Sequence, residues 1–185
     1  MYNSIAGTLS PMLLMRRAAL VILGVAVLTL SAKISIPFWP VPMTLQTLAI
    51  MGFAVTLGAR GAVAVLMAYL AAGAMGLPVF TGTPARGIGL AYMVGPTGGY
   101  LLGYVVAAAV VGRLAAGRGV WGRFAAMLIG MVPVYAFGAA WLANFVPVER
   151  IWAAGVAPFL LGDFLKIALV ALGVSAAARL RTFGR

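Results

Sequence analysis

The stretch PFLLGDFLKIALV, residues 158–170, sets Asp163 and Lys166 three positions apart in an otherwise apolar run. The only other acid in the chain is Glu149, and the only other lysine is Lys33. The apolar run continues to about residue 178, enough for a helix across ~30 Å of hydrocarbon. At 1.5 Å per residue, a helix starting near Ala157 puts Asp163 about 9 Å and Lys166 about 13 Å below its outer end. Positions i and i+3 share a helix face, so both side chains point together into a bundle. Each charge near mid-membrane costs roughly 2.5–3.5 kcal/mol on insertion scales. Two readings follow: an ion pair that joins helices, or a polar site reached from outside. Long loops above the pair favour the site.

Composition sets the class. Of 185 residues 64% are hydrophobic and 8% charged, against about 25% charged in soluble domains. With a mean hydropathy of +1.13, this is an integral membrane protein. The net charge of +11 would suggest nucleic acid in a soluble protein. Here the arginines lie between apolar runs, which suits membrane lipid and topology and gives no nucleic-acid partner. The absence of Cys and His removes disulfides, Cys/His metal sites, thiol nucleophiles and histidine relays. With one buried carboxylate the chain is poorly equipped as a membrane enzyme, so neither a catalytic residue nor a cofactor is expected.

Six apolar segments read as transmembrane helices: 16–34, 43–59, 61–76, 96–114, 123–144 and 157–178. Lipid requires each to satisfy its own backbone hydrogen bonds, and none alternates as a barrel strand does. Arg16 and Arg17 before the first run and Thr29-Leu30-Ser31 within it resemble a signal peptide. Five further runs favour a retained span. No charged linker divides the chain, so residues 1–185 read as one all-α membrane domain. An inward N-terminus puts Arg16, Arg17, Arg60, Arg113, Arg118, Arg123, Arg179, Arg181 and Arg185 in the cytoplasm. Only Lys33, Arg86 and Arg150 then face out, and both termini are cytoplasmic. The outer loops ISIPFWPVPM (34–43), GLPVFTGTPARGIGLAYMVG (76–95) and FVPVERIWAAG (145–155) are long and rich in proline and aromatics. The second exceeds ordinary connector length and reads as a structured lid, with LAYMV as a short helix or flap.

Three further elements bear on a site. In VPMTLQTLAI (41–50), Thr44 can cap a helix, Thr47 can bond back to a carbonyl, and the Gln46 amide can serve a ligand or another helix. In GPTGGYLLGY (95–104), a helix opening at Pro96 offers its N–H groups, around Gly95 and Thr97, to an anion. Gly99, Gly103 and Ala107 also form a small-residue packing row there. Arg86, in TPARGIG, can meet an anionic group from the lid or stay solvated. Ala64, Ala68, Ala72 and Gly76 give a second smooth face, more readily used inside the bundle.

Taken together, VPMTLQTLAI, GLPVF, GPTGGYLLGY and PFLLGDFLKIAL resemble the BioY family of biotin transporters, the S components of energy-coupling factor (ECF) transporters. The likeness spans about residues 16–178. It implies a compact six-helix bundle that captures biotin at the outer face of the cell membrane. Energy would come from a transmembrane coupling protein and two ABC-type ATPase subunits. The resemblance places Asp163 and Lys166 in the biotin site, Asp163 accepting ureido N–H groups and Lys166 donating to a ligand oxygen. It leaves Gln46 and Thr44 beside them, Arg86 or the Gly95–Gly98 turn for the carboxylate, and Tyr92, Tyr100, Phe80 and Trp39 for apolar packing. One departure stands out: Ala18, Ala19, Gly24 and Ala26 have no small residue four positions on. The docking motif often found on helix one of S components is therefore missing. The rival reading is an autonomous carrier or facilitator for biotin or another small vitamin-like carboxylate.

The orientation is testable because the chain lacks cysteine. An impermeant thiol reagent on intact cells should label Gly82→Cys and spare Arg118→Cys. The reverse pattern would overturn the topology.

Overall fold

The computed structural model describes residues 11–183. Residues 1–10 and Arg185, included in the single-domain and inner-face expectations, lie outside the described residues, as do the Arg179 and Arg181 side chains. The chain is mostly helical: α1 (Pro11–Lys33), β1 (Ser35–Ile36), β2 (Met43–Thr44), α2 (Gln46–Ala74), α3 (Leu90–Met93), α4 (Gly98–Leu114), α5 (Val120–Leu142), α6 (Val148–Gly155) and α7 (Ala157–Phe183). Four apolar runs have the length to cross a membrane: Pro11–Lys33, Gln46–Ala74, Val120–Leu142 and Val148–Ala178. The last takes in α6 and most of α7. Gly98–Leu114 is a shorter apolar helix.

The runs expected at 43–59 and 61–76 join within α2, where Gly58 breaks the helix at φ 70 and ψ 179. The Gln46 amide donates to the Tyr69 hydroxyl at 2.9 Å, 23 positions along the chain. A straight helix would separate them by about 34 Å. The chain therefore doubles back at Gly58 into two antiparallel arms. Such backbone angles are essentially confined to glycine, which explains the residue there.

Small residues let the helices approach. On α4, a Cβ added at Gly103 would lie 2.7 Å from Val134 Cα, and one at Gly99 would enter the Phe137 carbonyl and Trp141 on α5. Gly130 of α5 faces Val111 in return, and Gly112 sits against the Gly58–Ala59 backbone. The row Gly99–Gly103–Ala107 thus packs α4 on α5, as small residues do where lipid supplies no hydrophobic drive. The second row is used only near its top: Ala72 is buried, Ala68 half-buried, and Ala64 and Gly76 are exposed. Leu28, Ile50, Val65, Tyr69, Met127 and Ile167 lie in the core between these helices.

The end expected to face outward is built rather than loose. Strands β1 and β2 form a short antiparallel hairpin that the sequence did not announce, with Ser35 opposite Thr44 and Ile36 opposite Met43. The lid residues LAYM form α3, and VERIWAAG, read as loop, is helix α6. The α1 terminus clasps the lid: Lys33 Nζ donates to the Phe80 carbonyl and to Thr83 Oγ1, each at 2.8 Å. Thr81 Oγ1 donates back to the Ala32 carbonyl at 3.0 Å. Phe80 stacks on Tyr92 at 4.7 Å and meets Tyr69 edge-on at 5.4 Å.

Gly58→Ala should destabilise the protein by about 1–3 kcal/mol through backbone strain alone, because an added Cβ there meets open space. Gly119→Ala is the control. Its backbone is ordinary at φ −74 and ψ −173, with open space around it. Lower unfolded-state entropy favours alanine there by up to about 1 kcal/mol, and loss of the glycine N-cap of α5 offsets it by about as much, so the net change should be near zero. Thermal unfolding of the purified variants in detergent would compare the two.

Candidate functional site

Helix α7 starts at Ala157, which puts Asp163 and Lys166 on one face beneath the loop-rich end. They are 6% and 7% exposed, and Lys166 Nζ meets Asp163 Oδ1 at 2.9 Å. Each charge has a second partner on another element. Lys166 Nζ donates to the Thr44 carbonyl at 2.7 Å. The Tyr135 hydroxyl on α5 donates to Asp163 Oδ2, also at 2.7 Å. The pair therefore bridges three elements, β2, α5 and α7.

Beside it lies a narrow recess of ≈ 20 Å³, lined by Val41, Pro42, Met43, Thr44, Thr47, Tyr100, Tyr104, Val134, Tyr135, Phe159, Asp163 and Lys166. The bonding capacity in the recess is only partly used. An ammonium has three N–H donors, and Lys166 directs two at Asp163 and Thr44. A carboxylate has about four acceptor positions, and two of those on Asp163 are engaged. What remains is a donor beside acceptors, complementary to a carbonyl flanked by N–H groups.

Of the residues expected at the site, Asp163, Lys166, Thr44 and Tyr100 line the recess. Tyr100 does so with its ring, since its hydroxyl donates to the Gly155 carbonyl at 2.7 Å. Gln46 stands one bond away. Its amide donates to Tyr69, its carbonyl accepts from Thr44 Oγ1 at 3.4 Å, and Tyr69 passes a bond on to the Val79 carbonyl at 3.1 Å. Gln46 thus braces the two arms of α2.

The other four are elsewhere. Gly95 and Thr97 form the turn before α4, and the Gly95 carbonyl is taken by Trp141 Nε1 at 2.9 Å. Thr97 makes no side-chain cap. Tyr92 is buried under Phe80, and burial pushes its phenol above the ordinary value. Arg86 donates to the Pro40 carbonyl at 2.6 Å and so fastens the loop whose next residues, Val41–Met43, cover the recess. Trp39 is 75% exposed and packs nothing in the recess. Sequence reasoning missed Tyr135 and Tyr104. Their only signal was a tyrosine deep inside an apolar run, where interface anchoring does not account for it.

A family model described as the BioY family matches residues 4–183. The probable biotin transporter BioY of Pyrococcus horikoshii is 35% identical over 83% of this chain and 90% of its own length. The biotin transporter BioY of Thermotoga maritima is 36% identical over 80% and 86%, and that of Rhizobium etli is 40% identical over 80% and 83%. A solved structure, the S-component for biotin from an ECF-type ABC transporter, superposes with a TM-score of 0.77 at 26% identity, covering 94% of this chain and 95% of that one. With a family model matched across nearly its whole length and relatives of like size on either side, the chain belongs to the BioY family.

Proposed function

We propose that this chain is the biotin-capturing S component of an ECF-type transporter, working in the cytoplasmic membrane without catalytic chemistry of its own. The carrying observation is the Asp163–Lys166 pair, buried in a narrow recess with one donor and two acceptor positions to spare. A ureido head presents the matching set: its two N–H groups turn to Asp163 and its carbonyl accepts from Lys166. Tyr104, Tyr135 and Phe159 offer apolar faces for the fused ring, and the Tyr135 hydroxyl orients Asp163. Arg86 acts by latching the covering loop, and its remaining N–H groups form the seat for the valerate carboxylate.

In this reading the chain crosses the membrane six times, by α1, the two arms of α2, α4, α5 and α7. Both termini are then cytoplasmic, consistent with the distribution of arginine. Energy comes in trans, from a transmembrane coupling protein and two ABC-type ATPase subunits. Neither lysine sits in a phosphate-loop motif, which supports that division of labour. Vesicles holding this chain alone should therefore bind biotin or equilibrate it slowly, and concentrate it only once ATPase partners are added. Accumulation against a gradient by the chain alone would show an autonomous carrier.

Titration of purified variants with labelled biotin tests the site. Charge-assisted hydrogen bonds contribute roughly 1.5–3 kcal/mol, so Asp163→Asn and Lys166→Met should each weaken binding about ten- to a hundredfold. Tyr135→Phe removes one neutral donor and should cost about two- to tenfold. A purely structural pair behaves differently: single variants misfold, whereas Asp163→Asn/Lys166→Met restores both expression and binding. A monodisperse double variant that binds biotin like wild type would place the ligand elsewhere.

A further inference from the structure

Thirteen lysines and arginines face two acids in this chain. Asp163 is engaged by Lys166 and Tyr135, and Glu149 lies in α6 at the loop-rich end. The turn at Gly58 lies at the opposite end, because Gln46 and Tyr69 mark where both arms approach the loops. Residues 1–10 and 184–185 contain no Asp or Glu. Guanidinium groups near Gly58 therefore have no carboxylate side chain of this chain to neutralise them.

At that end α1 and α2 flank an open recess of ≈ 520 Å³. Arg17 of α1 and Arg60 of α2 line it, and both are exposed. Leu20, Val21, Leu57 and Ala64 line the rest, and Gly61 leaves room by lacking a side chain. The order along the membrane normal is informative. Leu20 lies three residues beyond Arg17, and Ala64 four beyond Arg60, each about one helical turn deeper. On both helices a cation thus precedes an apolar wall, the same sequence as headgroup and acyl chain in a lipid leaflet.

We infer that this recess binds an anionic phospholipid. The phosphate sits between Arg17 and Arg60, and one acyl chain lies along the Leu20–Leu57–Ala64 wall. Two planar guanidinium groups suit phosphate oxygens, through paired N–H bonds. A zwitterionic headgroup brings its own cation and matches the uncompensated pair less well. The site rests on the membrane placement of the chain alone and is independent of biotin capture.

The test uses the full chain in detergent, titrated with dioleoyl phosphatidylglycerol, and counts retained lipid by native mass spectrometry. One tightly held molecule is expected. Each juxtamembrane cation contributes about fivefold, so Arg17→Gln and Arg60→Gln should each weaken retention by that factor and the double variant about twenty-fivefold. Arg113→Gln/Arg118→Gln removes the same charge from the same end and should leave retention unchanged. Ala64→Trp fills the wall, keeps both arginines, and should also release the lipid. Biotin titration of every variant reports folding separately. Several outcomes overturn the site: equal losses in the control pair, equal retention of phosphatidylcholine, or no effect of Ala64→Trp. Glycerol phosphate binding as tightly as the lipid would reduce it to a plain anion site. Loss of coupling-protein binding with lipid retention intact would assign the recess to a protein partner.

Discussion

Hydrocarbon offers no hydrogen bonds, so each polar group within the bundle must find its partner in the protein. That constraint makes the apolar segments helical, and it also governs the few polar side chains among them. Thr44, Gln46, Tyr69, Tyr135, Asp163 and Lys166 gather at one level, beneath the loops. Their bonds run from α7 through the Thr44 carbonyl and side chain to Gln46, then through Tyr69 to the Val79 carbonyl. Buried polar side chains in lipid persist where they meet one another, and these meet in and beside the recess.

The same bonds fasten α7. On one side an apolar groove separates it from α2, between Leu48, Gly52 and Thr56 and the facing Val170 and Gly173. On the other, a second groove runs between Leu128 and Val132 of α5 and Leu160 and Phe164 of α7. Where packing is interrupted on both flanks, the bonds from Lys166 to Thr44 and from Tyr135 to Asp163 hold the helix in register. The pair thus anchors α7 and still keeps hydrogen-bonding positions unused. The two readings of the PFLLGDFLKIALV stretch, strut and proposed site, describe one set of atoms.

Much of this was legible in the residues. Hydropathy showed the membrane class, the 157 start of α7 and the break near Gly58. Spacing of three put Asp163 and Lys166 on one face, and spacing of four marked the Gly99–Gly103–Ala107 seam. What stayed hidden depends on partners far along the chain. The N–H groups of the GPTGG turn looked open to an anion because the bonds that Gly95 and Gly98 make inside the turn, to the Tyr92 and Gly95 carbonyls, are not marked in the sequence. Arg86 gave no sign of its bond to the Pro40 carbonyl, because that bond depends on how two loops fold over each other. Tyr135 carried only the mark of a tyrosine deep in an apolar run, and its partner Asp163 lies 28 residues on, on a helix whose facing is not written locally. The β1–β2 hairpin was too short for an alternating pattern to register, and α6 was hidden by the prolines and glycines around it.

The Tyr69 hydroxyl has a single proton, directed at Val79, and it accepts the Gln46 amide in turn. Gln46 in its turn holds Thr44, whose carbonyl receives Lys166. Members of such a chain cannot be varied as independent sites. Once Tyr69 loses its hydroxyl, the Gln46 amide is already orphaned, and replacing Gln46 then removes an unpaired group instead of breaking a bond. Substitutions along the series are therefore epistatic, the second change doing less harm in the altered background than alone. Sequence divergence at these positions should follow that coupling, Gln46 and Tyr69 changing together at less cost than the sum of the two single changes.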